Sequence, residues 1–327
     1  MEKILVTALT KQWKVPPPIW IMRQAGRYLP EYHAVRNKKP DFIELCLSPD
    51  IVTELTLQPI ERFAFDGAVI FSDILVIPFA LGQGVSFVPK PQLTQLDLSV
   101  CSANLADTGK FLETLQPVYD AIKQVKGRLA PETSLIGFAG APWTLGGYMV
   151  NGDIEQFRKI LPILIAAIVI HLRQQILAGA DVIQLFDSAS ASCPLAYREE
   201  FITKPVADIF RVLQLEFKEV PMIYYSRGIP EVLMELNRCL PKLVLSLDHE
   251  LTHEWVKENL PSDVAIQGNL DADVLIQGGE PLRLAVEQIC NGFKKHRFVF
   301  NLGHGIRPET PLENVYDLVR LVRAHGE

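Results

Sequence analysis

The run DVIQLFD, residues 181–187, is apolar on both its odd and even positions apart from one glutamine, and it closes on a carboxylate. A strand with one face in water alternates polar and apolar residues, whereas a strand covered on both faces reads as a continuous apolar run, the habit of parallel sheets. The same pattern recurs in GAVIFSD (67–73), SLIGFAG (134–140), MIYYSRG (222–228), LVLSLD (243–248), AIQGNLD (265–271) and FVFNLGHG (298–305), each ending in a polar or glycine-bearing turn. Amphipathic stretches lie between them. In SPDIVTELTLQPIERF (48–63) Ser48 is a candidate cap, Pro49 takes the first helical position and an acidic residue follows; PLENVYDLVRLVRAH closes the chain. IWIMRQ (19–24) is either an eighth strand or an addition carried on a loop. Seven or eight βα units in one chain of 327 residues predict the α/β class and a (β/α)8 TIM barrel, distorted if the eighth strand is lacking, as a single domain over residues 1–327. A doubly wound sheet is the alternative, but neither GxGxxG nor GxxxxGK[ST] follows any strand. GQGVSFVPKP (82–91) reads as a hairpin inserted after the first strand.

A net charge of −6 argues against nucleic acid or an anionic membrane as the main partner, so any anion site must be local. The five cysteines, Cys46, Cys101, Cys193, Cys239 and Cys290, show no CxxC spacing, which suggests neither a disulfide framework nor a zinc ribbon and fits a reducing cytosol. MEKILVTALTKQW at the N-terminus reads as a short helix rather than a signal peptide. Ile160–Ile170 is the most hydrophobic segment and falls well short of the roughly 20 apolar residues of a membrane span; it reads as a buried helix with Pro162 near its start.

In a TIM barrel the site lies at the C-terminal ends of the strands. The polar residues there are Asp73, Asp187, Ser188, Ser226, Arg227, Asp248, Gln267, Asn269, Asp271, Asn301 and His304. Asp187, Asp248 and Asp271 serve equally well as helix caps. Asp73 is followed by the apolar ILVIPFALG, which offers no obvious helix start, so capping explains it less well. His304 stands between glycines that let a ligand approach, although a structural imidazole fits the same place. The remaining histidines are not spaced as metal ligands. Arg23 and Arg27, in PPPIWIMRQAGRYLPEY (16–32), need anions; an internal Asp or Glu and an acidic ligand both satisfy that need.

MRQAGRYLPEY from Met22, FSDILVIPFALG from Phe71, GFAGAPWTLGGYM from Gly137, QLFDS from Gln184, YYSRG from Tyr224, QGNLD from Gln267 and NLGHG from Asn301 together resemble the uroporphyrinogen decarboxylase family, in order and over nearly the whole chain. One departure is local: after QLFDS the family continues Trp-Ala-Gly, whereas Ala189-Ser190-Ala191 stands here, at the wall of the pocket near Ser188.

The resemblance implies loss of CO2 from the four acetate side chains of uroporphyrinogen III, giving coproporphyrinogen III in haem biosynthesis, with no metal and no cofactor. Protonating a pyrrole carbon makes the ring a cationic electron sink, so the substrate does what a cofactor would otherwise do. It further implies that Asp73 is catalytic, accepting pyrrole N–H groups and stabilising the cation, and that Arg23 and Arg27 meet substrate carboxylates. Arg23 is also implied at the catalytic centre, though a guanidinium with a pKa above about 12 is a poor acid. Tyr148, Ser188 and His304 match substrate-binding positions, and Phe71, with Ile74 and Ile77, matches the apolar lining. Phe71 serves equally as core, Tyr148 as a half-buried aromatic, Ser188 as a cap. A cytoplasmic homodimer acting on a small tetrapyrrole, without nucleic acid or membrane, completes the expectation. Zinc- or corrinoid-dependent methyltransferases of similar fold and a non-catalytic porphyrin binder are the alternatives; the first lacks an HxC or paired strand-end Cys here, and the second has no need of Asp73.

Overall fold

The computed structural model describes residues 2–11, 16–39, 41–87 and 90–325. In chain order the strands are β1 (Gly67–Val69), β2 (Val85–Ser86), β3 (Gln92–Leu93), β4 (Ser134–Gly140), β5 (Val182–Asp187), β6 (Met222–Ser226), β7 (Val244–Ser246), β8 (Ala265–Leu270) and β9 (Arg297–Leu302). Seven form one sheet in the order β1-β4-β5-β6-β7-β8-β9, every neighbouring pair parallel. Each is followed by helix, as parallel connection requires. β2 and β3 pair antiparallel within the segment after β1, and residues 88–89 between them lie outside the described residues.

The sheet is curled. Gln184 on β5 and Gln267 on β8 are hydrogen-bonded at 3.2 Å although β6 and β7 lie between them, a contact a flat sheet forbids. Inside the curl, Val69, Ile136, Val182, Ile223, Val244, Ala265 and Val299 contribute one apolar side chain from each strand of the sheet, joined by Trp20 and Met22. Leu5, Ala8 and Leu9 of the helix Ile4–Thr10 pack into the same cluster at its N-terminal end. A second, larger core fills the space between sheet and outer helices. Above the inner layer sits a polar one: Gln267 accepts from Trp20 Nε1 at 2.9 Å and donates to Ser246 at 3.0 Å and to Gln184, all fully buried.

The segment containing IWIMRQ lies between the two edges of the sheet as a single parallel bridge, Ile19 to Phe300, rather than a strand. On one side Phe300 N–H donates to Pro18 O at 2.8 Å and Trp20 N–H to Phe300 O at 3.3 Å. On the other, Asp66 N–H donates to Ile19 O at 2.9 Å and Ile19 N–H to the Asp66 carboxylate at 2.7 Å.

Three local expectations need correction. Ser48 stands at the N-cap of Pro49–Phe63 but does not cap it, because its hydroxyl donates back to Glu44 O at 2.6 Å. The apolar helix runs Ile154–Ala178, so Pro162 lies in its interior. By length and composition that helix is able to cross a membrane, with a mean hydropathy of 1.9 over its most apolar window, yet one face packs on helices Thr108–Arg128 and Lys204–Glu216 and on β4.

Candidate active site

The C-terminal ends of the strands bring Arg23, Asp73 and His304 into one electrostatic neighbourhood. Arg23 has φ 63°, a left-handed conformation that costs an ordinary residue about 1–2 kcal/mol, so something must hold it there. The holder is Gln24, fully buried: its Oε1 accepts from Ile21 N–H at 3.3 Å and its amide donates to Gly67 O at 3.0 Å, while Asn301 Oδ1 accepts from Met22 N–H at 2.9 Å. The Arg23 side chain then lies across Gly305, where a Cβ would come within 2.4 Å of its Cδ. The Arg27 carbonyl accepts from the His33 ring at 2.8 Å, and its guanidinium faces solvent near Tyr32.

Neither Arg23 nor Arg27 has an ion-pair partner among the described residues, so the internal pair that the sequence left open is not formed. Several arginines elsewhere are neutralised, Arg62 by Glu31, Arg173 by Glu216, Arg307 by Asp273. The two loose cations are where an anion would go.

Asp73 corrects one expectation. A helix, Val76–Ala80, does begin just after it, and Asp73 Oδ1 accepts from Leu75 N–H at 2.8 Å. That contact takes one oxygen; Oδ2 has no hydrogen-bond partner among the described residues. Burial raises the Asp73 pKa from its ordinary value, offset by the Leu75 N–H and the Arg23 charge. Buried Cys46 lies against Asp73, its thiol pushed well up by burial and by the neighbouring carboxylate. Phe71 is buried, with its ring tilted on Tyr32 at 5.9 Å and edge-on to Phe42 at 6.1 Å, contacts that tie β1's end to the segment after Arg27.

His304 is half-buried, with Nδ1 3.2 Å from Gly305 O. Its pKa falls, through burial first and then through the charges of Arg23, Arg227 and Arg307, so the ring is neutral near pH 7 and works by hydrogen bonding. Ser188 is exposed at the end of β5 and caps nothing, and Tyr148 stands 40% exposed on the helix Pro142–Val150 that follows β4. Both occupy the same end of the sheet, without a hydrogen bond to Arg23 or Asp73 among the described residues.

The other strand-end carboxylates are satisfied. Asp187 accepts from Thr144 Oγ1 at 2.6 Å and Tyr224 OH at 3.0 Å, and burial lifts its pKa to about 6. Asp248 accepts from Gly228 N–H at 2.7 Å and Glu250 N–H at 3.0 Å. Only Asp271 caps the helix after it. Sequence reading gave no role to Gln24, Ser190 or Thr144, whose work is done through long-range hydrogen bonds. A hollow of about 830 Å³ on the outer helices, lined by Glu31, Asp50, Glu54 and Glu61 beside Arg62 and Arg128, has the wrong charge for a polycarboxylate.

A family model described as Uroporphyrinogen decarboxylase (URO-D) matches residues 2–325. Among curated relatives, the uroporphyrinogen decarboxylase of Rhizorhabdus wittichii is 39% identical, covering 98% of this chain and 97% of its own. That of Sphingopyxis alaskensis is 40% identical over 94% of each. Among solved structures, a methyltransferase from Methanosarcina mazei superposes with a TM-score of 0.79 at 19% identity over 98% of both chains. A B12-independent methionine synthase from Shewanella sp. W3-18-1 superposes at 0.57 with 10% identity, over 95% of this chain and 96% of that one. The two structural likenesses are of fold alone, while match and identity over the whole length decide descent: the chain belongs to the uroporphyrinogen decarboxylase family.

Proposed function

We propose that uroporphyrinogen sits over the C-terminal ends of the strands with Arg23 and Arg27 on its carboxylates and Asp73 Oδ2 on its pyrrole N–H groups. The observation that carries this is an unpaired Arg23 beside a carboxylate with one oxygen still open, with a second unpaired arginine, Arg27, four residues on. The chain is a carboxy-lyase of porphyrin biosynthesis, as its family is. Protonation of a pyrrole carbon makes the ring cationic. The bond between an acetate methylene and its carboxylate breaks, the electron pair enters the ring and CO2 leaves. Reprotonation of the methylene gives a methyl group as the ring carbon loses its extra proton. Asp73, as the carboxylate, stabilises the cation by a fixed charge that needs no reorganisation. Its second oxygen holds the Leu75 N–H, so the carboxylate does not swing. Arg23 serves as an electrostatic and binding group rather than a proton donor. Neutral His304, Ser188 and Tyr148 offer hydrogen bonds to side-chain carboxylates, and Phe71 backs the pocket from the core.

The finer architecture follows the same reading: a single-domain (β/α)8 barrel in which residues 18–22 act as the eighth stave, with β2 and β3 as an inserted hairpin. We place it in the cytoplasm as a homodimer working without metal or cofactor, on family grounds. Likeness to methyltransferases at 19% identity or less transfers no activity. Anaerobic incubation with uroporphyrinogen III, followed by counting carboxylates on the products, tests the reading. Stepwise loss from eight to four is expected; unchanged substrate overturns it.

A further inference from the structure

We infer that Arg227 is a further carboxylate-binding residue of this site, held in place by Ser190. This rests on the polycarboxylate reading above and extends it to the departure at residues 189–191. Arg227 follows directly on β6, with its side chain exposed at the C-terminal end of the sheet. Among the described residues it has no ion-pair or hydrogen-bond partner for its guanidinium. Its charge reaches the groups that define the site, since it acts on both His304 and Tyr225, as Arg23 does.

The backbone beneath it is held from two sides. The hydroxyl of fully buried Ser190 donates to Arg227 O at 2.9 Å and accepts from Arg227 N–H at 2.8 Å. Asp248 Oδ2 accepts from the next amide, Gly228 N–H, at 2.7 Å. Gly228 has φ 68°, which lets the chain turn away immediately after the arginine, and Ala191 fills the space beside it at 3.1 Å from the position of a Cβ. A hydroxyl that both donates to and accepts from one residue fixes that residue's orientation as an alanine cannot. The Ser190 and Ala191 positions, where the chain departs from the pattern it resembles, thus become the seat of a cation aimed at the ligand. A flexible, partnerless guanidinium on a pinned backbone loses little freedom on binding beyond its own rotamers.

The experiment compares wild type, Arg227→Gln, Arg227→Lys and Ser190→Ala in two measurements: steady-state decarboxylation of uroporphyrinogen III, and fluorescence titration with the oxidised octacarboxylic porphyrin. Arg227→Gln should raise KM and the porphyrin Kd about tenfold, the lower end for a charge-assisted hydrogen bond, while kcat falls by less than KM rises. Arg227→Lys should recover most of the affinity, and Ser190→Ala should move KM in the same direction by about threefold. The dependence of KM on salt should be shallower in Arg227→Gln, a readout a structural role would not move. Wild-type KM and Kd in Arg227→Gln overturn the assignment, as does a loss that lysine does not recover. Porphyrin binding that weakens in Arg227→Gln while the wild type releases no CO2 overturns the functional reading and leaves Arg227 as an anion contact.

Discussion

At the N-terminal end of the sheet the charges are matched, whereas at the C-terminal end cations stand open. Asp181, just before β5, accepts from Leu135 N–H at 2.8 Å and meets both Lys126 and Lys3. Asp66, just before β1, takes Arg323 at 2.8 Å as well as Ile19 N–H. Arg297, opening β9, donates to Asp263 O and Leu9 O. At the opposite end the guanidinium groups of Arg23, Arg27 and Arg227 have no ion-pair or hydrogen-bond partner among the described residues, Asp73 keeps one oxygen open, and the Ser226 hydroxyl is buried without a partner. One end spends its charges on holding the fold; the other withholds them for a ligand.

The strongest test of that contrast is Asp73→Asn. Losing one preorganised electrostatic group costs on the order of 10²–10³ in rate, and single-turnover decarboxylation should fall at least that far while porphyrin affinity falls less. Because burial disfavours the charge, the variant should unfold no lower than wild type in a thermal scan, since the amide oxygen still accepts from Leu75. Near-normal turnover would make Asp73 a turn residue only. Removing charge from the two ends should then have opposite signatures. Arg27→Ala should weaken porphyrin binding by about 1–3 kcal/mol at constant stability, and Asp181→Ala should lower urea stability by about 1–3 kcal/mol at constant KM. Equal effects on both quantities in both variants would dissolve the comparison.

Two glycines sharpen it further. A Cβ at Gly303 would lie 2.3 Å from the His249 backbone nitrogen, whereas the three nearest atoms to one at Gly305 all belong to the flexible Arg23 side chain. Gly303→Ala should therefore cost stability, about 1–3 kcal/mol, and Gly305→Ala should displace Arg23 and raise KM a few-fold with the fold intact. A pH series has a smaller effect. Asp73 must be ionised to work, and its pKa is raised, so turnover should be lost on acidification above the usual carboxylate range of about 4. That limb should be absent from the residual activity of Asp73→Asn. Exhaustive chelation should change nothing; activity restored only by zinc or a corrinoid would revive the methyltransferase alternative.

The strands were legible because burial on both faces leaves a continuous apolar run, and β5 and β9 fall where DVIQLFD and FVFNLGHG place them. The candidate residues at the strand ends were legible once a barrel was assumed. Less visible was whatever depends on where distant backbone ends up. Asp73 looked free of capping because Val76–Ala80 is apolar throughout and carries no polar start, so its turn with Leu75 had no composition to announce it. Ser48 had the right residue type for a cap and turned to the preceding helix instead. Gln24 reads as one more polar residue until Gly67 O comes within 3.0 Å of it. Arg227 stood among the candidates, but what pins it, Ser190 and Asp248, arrives from other βα units.

The bridge between Ile19 and Phe300 has a bearing on how the protein is made. Residues 18–24 meet β1 on one flank and β9 on the other, and the amide of Met22 is received by a side chain 279 positions later. Contacts that close so long a loop come late in folding, since their entropy must be met before they stabilise anything. On the ribosome the first arginines of the site are thus synthesised early and positioned last, after β9 has emerged and paired. A chain truncated before residue 297 would keep most of its βα units, and Arg227 with them, but would lack the Phe300 and Asn301 partners that hold the Arg23 segment. An ordered Arg23 is in this way a report that β9 has been made and paired.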